Sequence, residues 1–219
     1  MDHVRLFSLI APFYNLAFPS QLRGYRQLLG KYSSCIPPGV HSVLDLGCGT
    51  GAFARALHET GFGVVALDAS KAMLRMARWN LRKLPIPLVQ GDFHHGLPFG
   101  DQSFDWVVAA YVLHGFRLEG RELLYREVKR VSRKGVLFHE FFPNHNPVVS
   151  VVEWIEGSDY PAFVGHARKE MEERFLQVEA LRVSSTTGWY VCKNTKGENA
   201  CDKFSANGQG TSTRFVEPS

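Results

Sequence analysis

Three glycines at alternate positions, Gly47, Gly49 and Gly51, follow a short apolar run that contains Asp45. Such a turn lets backbone approach a ligand without Cβ atoms in the way. A helix starting just after it would aim unpaired amides and a positive dipole end at an anionic group. The third glycine comes one residue too early for the dinucleotide pattern G-x-G-x-x-G. A second acid, Asp68, stands 23 residues after Asp45 at the end of the next apolar run, where a carboxylate can accept both hydroxyls of a ribose. Asp92 ends the third run and Phe93 follows it, an acid for an exocyclic amine beside a ring that could flank a purine. Each feature alone also has a purely structural reading: an ordinary β-α turn, a carboxylate at a helix start, a turn aspartate with a core phenylalanine. Their combination favours a ligand that carries a nucleoside.

The elements that must position these residues can be read in chain order. Residues 41–46 are apolar and β-branched, and Phe53, Ala54 and Leu57 begin a helical stripe after the glycine turn. Residues 63–67 form a second strand, and Ser70 caps a helix whose inner face is Leu74, Ala77 and Leu81. Pro85 and Pro87 end that helix and open a third strand through Val89. Residues 104–111 are the most apolar strand, suited to the centre of a sheet. A helix over 119–131, a fifth strand over 136–142 and a helix from about residue 158 follow, the last carrying Val164, Ala167, Met171 and Phe175. Strands over about 176–184 and 189–193 read as a hairpin. This alternation predicts an α/β, doubly wound, mostly parallel seven-stranded sheet with a C-terminal antiparallel hairpin strand, and a ligand site at the carboxyl ends of its strands.

A chain of 219 residues and 24.6 kDa suits one globular domain with 45% hydrophobic, 21% charged and 12% aromatic residues, and those fractions exclude collagenous, coiled-coil or wholly disordered chains. The formal net charge of +4 is unevenly spread: 17 basic against 10 acidic residues up to Lys134, then 8 against 11. That could draw anionic ligands, but it is not the dense basic stripe expected of a nucleic-acid binder. Cys35, Cys48, Cys192 and Cys201 lack C-x-x-C spacing, which supports neither a zinc ribbon nor a secreted disulfide scaffold. No apolar run approaches the ~18 residues that span a bilayer. Residues 6–18 are too interrupted, by Pro12 and Asn15, for a signal peptide. The expectation is a cytoplasmic protein without stable membrane insertion. Its expected domains are an N-terminal helical lid over residues 1–40, with an amphipathic helix over 20–32, a main domain over 41–194 and a polar tail over 195–219.

The stretch VLDLGCGTG, then ALDAS, then GDFHHGLPFGDQSFDWVVAAYVLH resembles the class I S-adenosylmethionine-dependent methyltransferases, with order and spacing matching over residues 43–110. These proteins have a Rossmann-like fold. The opening LFSLIAPFYNLAFPSQLRGYRQLL is similar to the start of the ubiquinone/menaquinone-biosynthesis type. The resemblance implies S-adenosyl-L-methionine as cofactor. It would place Tyr14, Asp45, Gly47, Cys48, Gly49 and Gly51 at the methionine portion and Asp68 at the ribose. Ala69 and Met73 would border the adenine, Asp92 and Phe93 would meet its amino edge, and Ala109 would face the methionine amine. Asn15 stands where the quinone type has an acid, so the likeness does not carry quinol specificity.

A sulfonium brings its own activated methyl group, so such an enzyme needs mainly to align an acceptor behind the S–CH3 bond, which can be worth ~7–11 kcal/mol. For a hydroxyl acceptor a base would help. Of the candidates His114, His139, Glu140 and His145, the favoured catalytic pair is His114 and Glu140. His139-Glu140 lacks the second histidine of H-E-x-x-H, no nucleophile elbow or Walker lysine occurs, and no metal site is expected. Phe7, Phe13, Tyr14 and Phe18, with Phe141, Phe142 and Trp154, could close an apolar pocket or simply pack the leading helix on the core. The expected function is methyl transfer to a small, partly hydrophobic acceptor, with no nucleic-acid partner and with a homodimer as the assembly left open. The competing readings are an NAD-dependent oxidoreductase and a non-catalytic cofactor-binding adaptor.

Overall fold

Pro19 sits in the first turn of helix α1 (Phe18–Tyr32), where its missing N–H leaves no intrahelical bond unmade. In the computed structural model, which describes residues 15–142 and 160–195, α1 buries Phe18, Leu22, Leu29 and Tyr32 on one face. The strands are β1 (Ser42–Leu46), β2 (Gly63–Asp68), β3 (Leu88–Gln90), β4 (Phe104–Ala110), β5 (Ser132–Phe141), β6 (Gln177–Arg182) and β7 (Thr187–Lys193). Helices α2 (Ala52–Glu59), α3 (Lys71–Leu81), α4 (Leu118–Val131) and α5 (Tyr160–Glu172) connect them. They form one seven-stranded sheet in the order β3-β2-β1-β4-β5-β7-β6. Only β7 runs antiparallel, between β5 and β6.

Strand alternation divides the core into two layers. Trp106 and Val108 of β4 face the layer shared with α1, α2 and α3, while Phe104, Val107 and Ala109 face the layer shared with α4 and α5. Buried Arg121 of α4 clamps α5 by donating from Nε and Nη2 to both carboxylate oxygens of Glu170 at 2.8 and 2.7 Å. Because β1 pairs in parallel with both β2 and β4, strand order reverses beside it, which opens a crevice at its carboxyl end.

Two local features depart from the expected layout. β5 begins at Ser132 rather than Val136, directly from the end of α4, because Ser132 pairs with Phe104 across a register shift. Gly135 falls inside the strand, where a Cβ would lie 2.2 Å from the Cys192 carbonyl oxygen. Short 3-10 turns, Phe93–His95 and Leu113–Gly115, follow β3 and β4. Cys48 and Cys192 are free buried thiols, whereas Cys35 is disulfide-bonded, which the cysteine spacing did not suggest. Phe7, Phe13, Tyr14, His145, Trp154 and the tail beyond residue 195 lie outside the described residues. Among the described residues, no helix is long and apolar enough to cross a membrane.

Candidate active site

The glycine turn is built from left-handed backbone. Gly47, Gly49 and Gly51 have φ of +71°, +53° and +86°, values that L side chains rarely adopt. At Gly47 a Cβ would also sit 2.6 Å from a Val112 methyl, so the turn after β1 and the turn after β4 pack directly together. The amides of the turn itself are engaged within the fold. Gly47 and Cys48 N–H donate to the Leu67 carbonyl at 2.8 and 2.9 Å, Gly49 N–H to Asp68 Oδ2 at 2.8 Å and Gly51 N–H to the Cys48 carbonyl at 2.9 Å. The parallel register that sets Leu46 beside Leu67 brings the end of β2 under the turn and uses up its donors.

What converges there instead is acid. Asp45 is 1% exposed, and its Oδ2 has no hydrogen-bond partner among the described residues. Burial pushes its carboxyl up to about 7 against the pull of the Ala54 N–H, and the neighbouring Asp68 charge adds to the rise. Burial also raises Asp68, although the Ser70, Gly49 and Ala69 amides favour its charged form. Cys48 is pushed far up by burial and by both acids, which keeps it a thiol rather than a nucleophile. An orphaned, buried carboxylate oxygen beside a half-buried one suits a ligand that brings positive charge and hydroxyl donors.

The remaining residues expected at this end lie on the adjoining turns. Ser70 caps α3 by accepting from Met73 N–H at 3.3 Å, which buries Met73 below the half-exposed Ala69. Asp92 caps its own 3-10 turn, accepting at Oδ1 from the His94 amide at 3.0 Å and meeting His94 Nδ1 at 2.8 Å. Burial would raise its pKa, but the His94 bonds and the His94 and His95 charges outweigh it and hold it low. Phe93 is 7% exposed and stacks on His94. Ala109 is fully enclosed on the α4 side of β4, so only its backbone could meet a ligand.

A second cluster forms at the carboxyl ends of β4 and β5. Glu140 is fully buried, and its Oε1 accepts from both Val112 and Leu113 N–H at 2.7 Å. Its Oε2 lies 2.9 Å from His114 Nδ1, and the His114 side chain is 12% exposed. A carboxylate already committed as an acceptor fixes the proton on Nδ1. Glu140 thus orients His114 and, fully buried, is itself sealed from any acceptor molecule. His139, the neighbour of Glu140, points to the opposite face of the sheet. There its Nδ1 accepts from Trp189 Nε1–H at 2.9 Å, which makes its Nε2 the donor to the Tyr111 hydroxyl at 3.0 Å. Burial lowers His139 to about 4, so it stays neutral.

Tyr111, Trp189 and Tyr25 are the members the sequence reading missed. Tyr111 has φ +57°, uncommon outside glycine, and its ring meets those of His139, Phe141 and His114 at 4.8, 5.2 and 6.4 Å. Tyr25 approaches His139 from α1 and stacks on Phe53 at 4.4 Å. Strand alternation was the available signal that His139 and Glu140 serve different faces. The contacts of Tyr111 with His139 and of Trp189 with His139 span 28 and 50 residues, with no local signature. No group of three or more metal-ligating side chains occurs among the described residues.

Residues 43–135 match a family described as "Methyltransferase domain". The chain is 33% identical over 160 residues to sterol 24-C-methyltransferase of Schizosaccharomyces pombe, covering 70% of this chain and 38% of that protein. It is 34% identical over 143 residues to demethylmenaquinone methyltransferase of Thermotoga maritima, covering 61% of this chain and 58% of that one. The chain therefore spans roughly four- to six-tenths of the length of these relatives. A crystal structure of a SAM-dependent methyltransferase from Aquifex aeolicus superposes with a TM-score of 0.59 at 16% identity over 78% of this chain and 89% of that one, a likeness of fold.

Proposed function

From the premise that this chain is a class I S-adenosylmethionine-dependent methyltransferase, we propose that it methylates a small, partly hydrophobic acceptor whose attacking atom gives up a proton to His114. The observation that carries this reading is the buried Glu140 carboxylate 2.9 Å from His114 Nδ1. In S-adenosylmethionine the methyl rides on a sulfonium and needs no further activation. The chain's own residues supply alignment and proton removal. Bound S-adenosylmethionine would supply the methyl group and leave as the neutral thioether S-adenosylhomocysteine; His114 Nε2 would take the proton the acceptor atom gives up, and Glu140 would stabilise the resulting imidazolium, an arrangement worth ~10²–10⁴-fold in rate.

At the other end, Asp68 is assigned to the ribose hydroxyls, and the unpartnered Oδ2 of Asp45 to the positive methionine end, with Gly47, Cys48, Gly49 and Gly51 as the wall. Ala69, Met73, Asp92, Phe93 and the Ala109 backbone complete the cofactor edge, and Tyr14 is assigned to the methionine side on the resemblance alone. The rings of Tyr111 and Phe141 support a partly apolar acceptor. Residues 1–40 are read as a lid on the domain over 41–194, supported by the Tyr25–Phe53 stack and by Arg26, which bonds both oxygens of Glu59 at 2.6 and 2.8 Å.

Incubation with labelled S-adenosylmethionine and a panel of partly apolar hydroxyl, amine and thiol acceptors tests the reading. Expected is S-adenosylhomocysteine in step with a methylated acceptor. Tight S-adenosylmethionine binding with no product from any acceptor would favour an adaptor. Preferential binding of NAD would favour the oxidoreductase reading.

A further inference from the structure

Helix α3 carries a feature that methyl transfer does not use. Lys71, Arg75, Arg78 and Arg82 follow one another at spacings of four, three and four residues, which sets them on one helical face, and Lys83 adds a fifth cation. All five are exposed, and no acid occurs between Asp68 and Asp92. The opposite face is the buried one, formed by Met73, Ala77 and Leu81. Some exposed cations elsewhere in the fold are matched, Arg26 with Glu59, Arg133 with Asp105 and Arg168 with Glu172; what sets this face apart is that its cations stand together on one helix with no acid among them. Among the described residues, no carboxylate pairs with any of the five cations of this face.

The same face is not purely polar. Trp79 is 64% exposed, held by the Arg82 guanidinium 4.3 Å above its ring and by Arg82 Nη1, which donates to the Trp79 carbonyl at 2.8 Å. Beside it Arg78 and Arg82 rim a hollow of about 240 Å³ floored by Leu81, Leu84, Ile86 and Leu88. Cations around an apolar floor, with a tryptophan standing out between them, match the boundary between anionic headgroups and acyl chains.

We propose that this face of α3 docks the protein onto an anionic phospholipid surface, with the arginines at the phosphates and Trp79 entering the headgroup layer. Charge complementarity selects the lipid, and the exposed tryptophan beside the apolar floor of the hollow favours a bilayer over a nucleic acid.

The test is co-sedimentation of the full chain with vesicles of phosphatidylcholine alone or mixed with phosphatidylglycerol. Each cation near an anionic surface contributes about fivefold, so three or more of them predict at least about 100-fold stronger partition onto the mixed vesicles, with a blue shift of Trp79 emission. The triple variant Arg75→Glu, Arg78→Glu, Arg82→Glu should lose at least about 100-fold of it, and Trp79→Ala should lose the blue shift. Unchanged S-adenosylhomocysteine binding in the variants shows that they are folded and separates this result from any failure to find an acceptor. Equal partition onto neutral vesicles, binding that survives the charge reversal, or tighter binding to an oligonucleotide than to anionic vesicles would overturn the proposal.

Discussion

The carboxyl ends of β1 and β2 and those of β4 and β5 solve opposite electrostatic problems with the same device, burial. At the first, burial leaves the Asp45 Oδ2 without a hydrogen-bond partner among the described residues, which is the opening the proposed function gives to a cationic ligand. At the second, burial of Glu140 is fully compensated by two amides and an imidazole, so the site is preorganised before anything binds. The first end is incomplete without its ligand, and the second is complete but rigid. The two meet where Val112 packs over Gly47, so movement in either turn is felt by the other.

Replacing His114 with alanine sharpens this contrast most. The rate should fall ~10²–10⁴-fold at neutral pH with cofactor affinity unchanged, as single-turnover kinetics and calorimetry would report. An equal loss of affinity would mean the two ends are one unit. Asp68→Ala acts on the other end: affinity for S-adenosylhomocysteine should drop by ~1–3 kcal/mol through loss of charge-assisted bonds, measured calorimetrically on protein shown to be folded.

Thermal melts against pH separate the ends by sign. Asp45 holds its proton in the fold up to about 7 but releases it near 3.8 when unfolded, so its contribution is full below 3.8 and is lost as pH rises through 7. His139 is depressed to about 4 from 6.5, so its contribution is full above 6.5 and is lost as pH falls through 4. Between about 4 and 6.5 the two slopes, each ~1.4 kcal/mol per pH unit, oppose one another. Asp45→Asn should unmask the rise with pH due to His139, and a flat profile in that variant would contradict the assignment. The smallest effect is expected from Tyr111→Phe, which keeps the ring but strands the His139 Nε2–H, for a loss of ~1 kcal/mol in denaturant unfolding.

How much of this was legible follows from sequence distance. Asp45 and the three glycines lie within seven residues, and Asp68 ends the next strand, so a linear reading finds them. Glu140 and His114 could be named as candidates, but not their division of labour. Glu140 became an orienting group only because the turn after β4 folds its amides onto it. The bonding of the turn's own amides was hidden for a similar reason: whether an amide is free depends on which neighbouring carbonyl reaches it, and Leu67, which takes the Gly47 and Cys48 N–H groups, belongs to another strand.

The chain's linear order was sufficient for the strand and helix succession, the sheet type and the acid-and-glycine edge, because each depends on periodicity or on groups a few residues apart. Pairing across the sheet alone decided which amides were taken, which imidazole nitrogen of His114 carries the proton and that Trp189 would set the tautomer of His139. Those are properties of hydrogen-bond partners brought together from 19 to 50 residues away, and no local pattern encodes them.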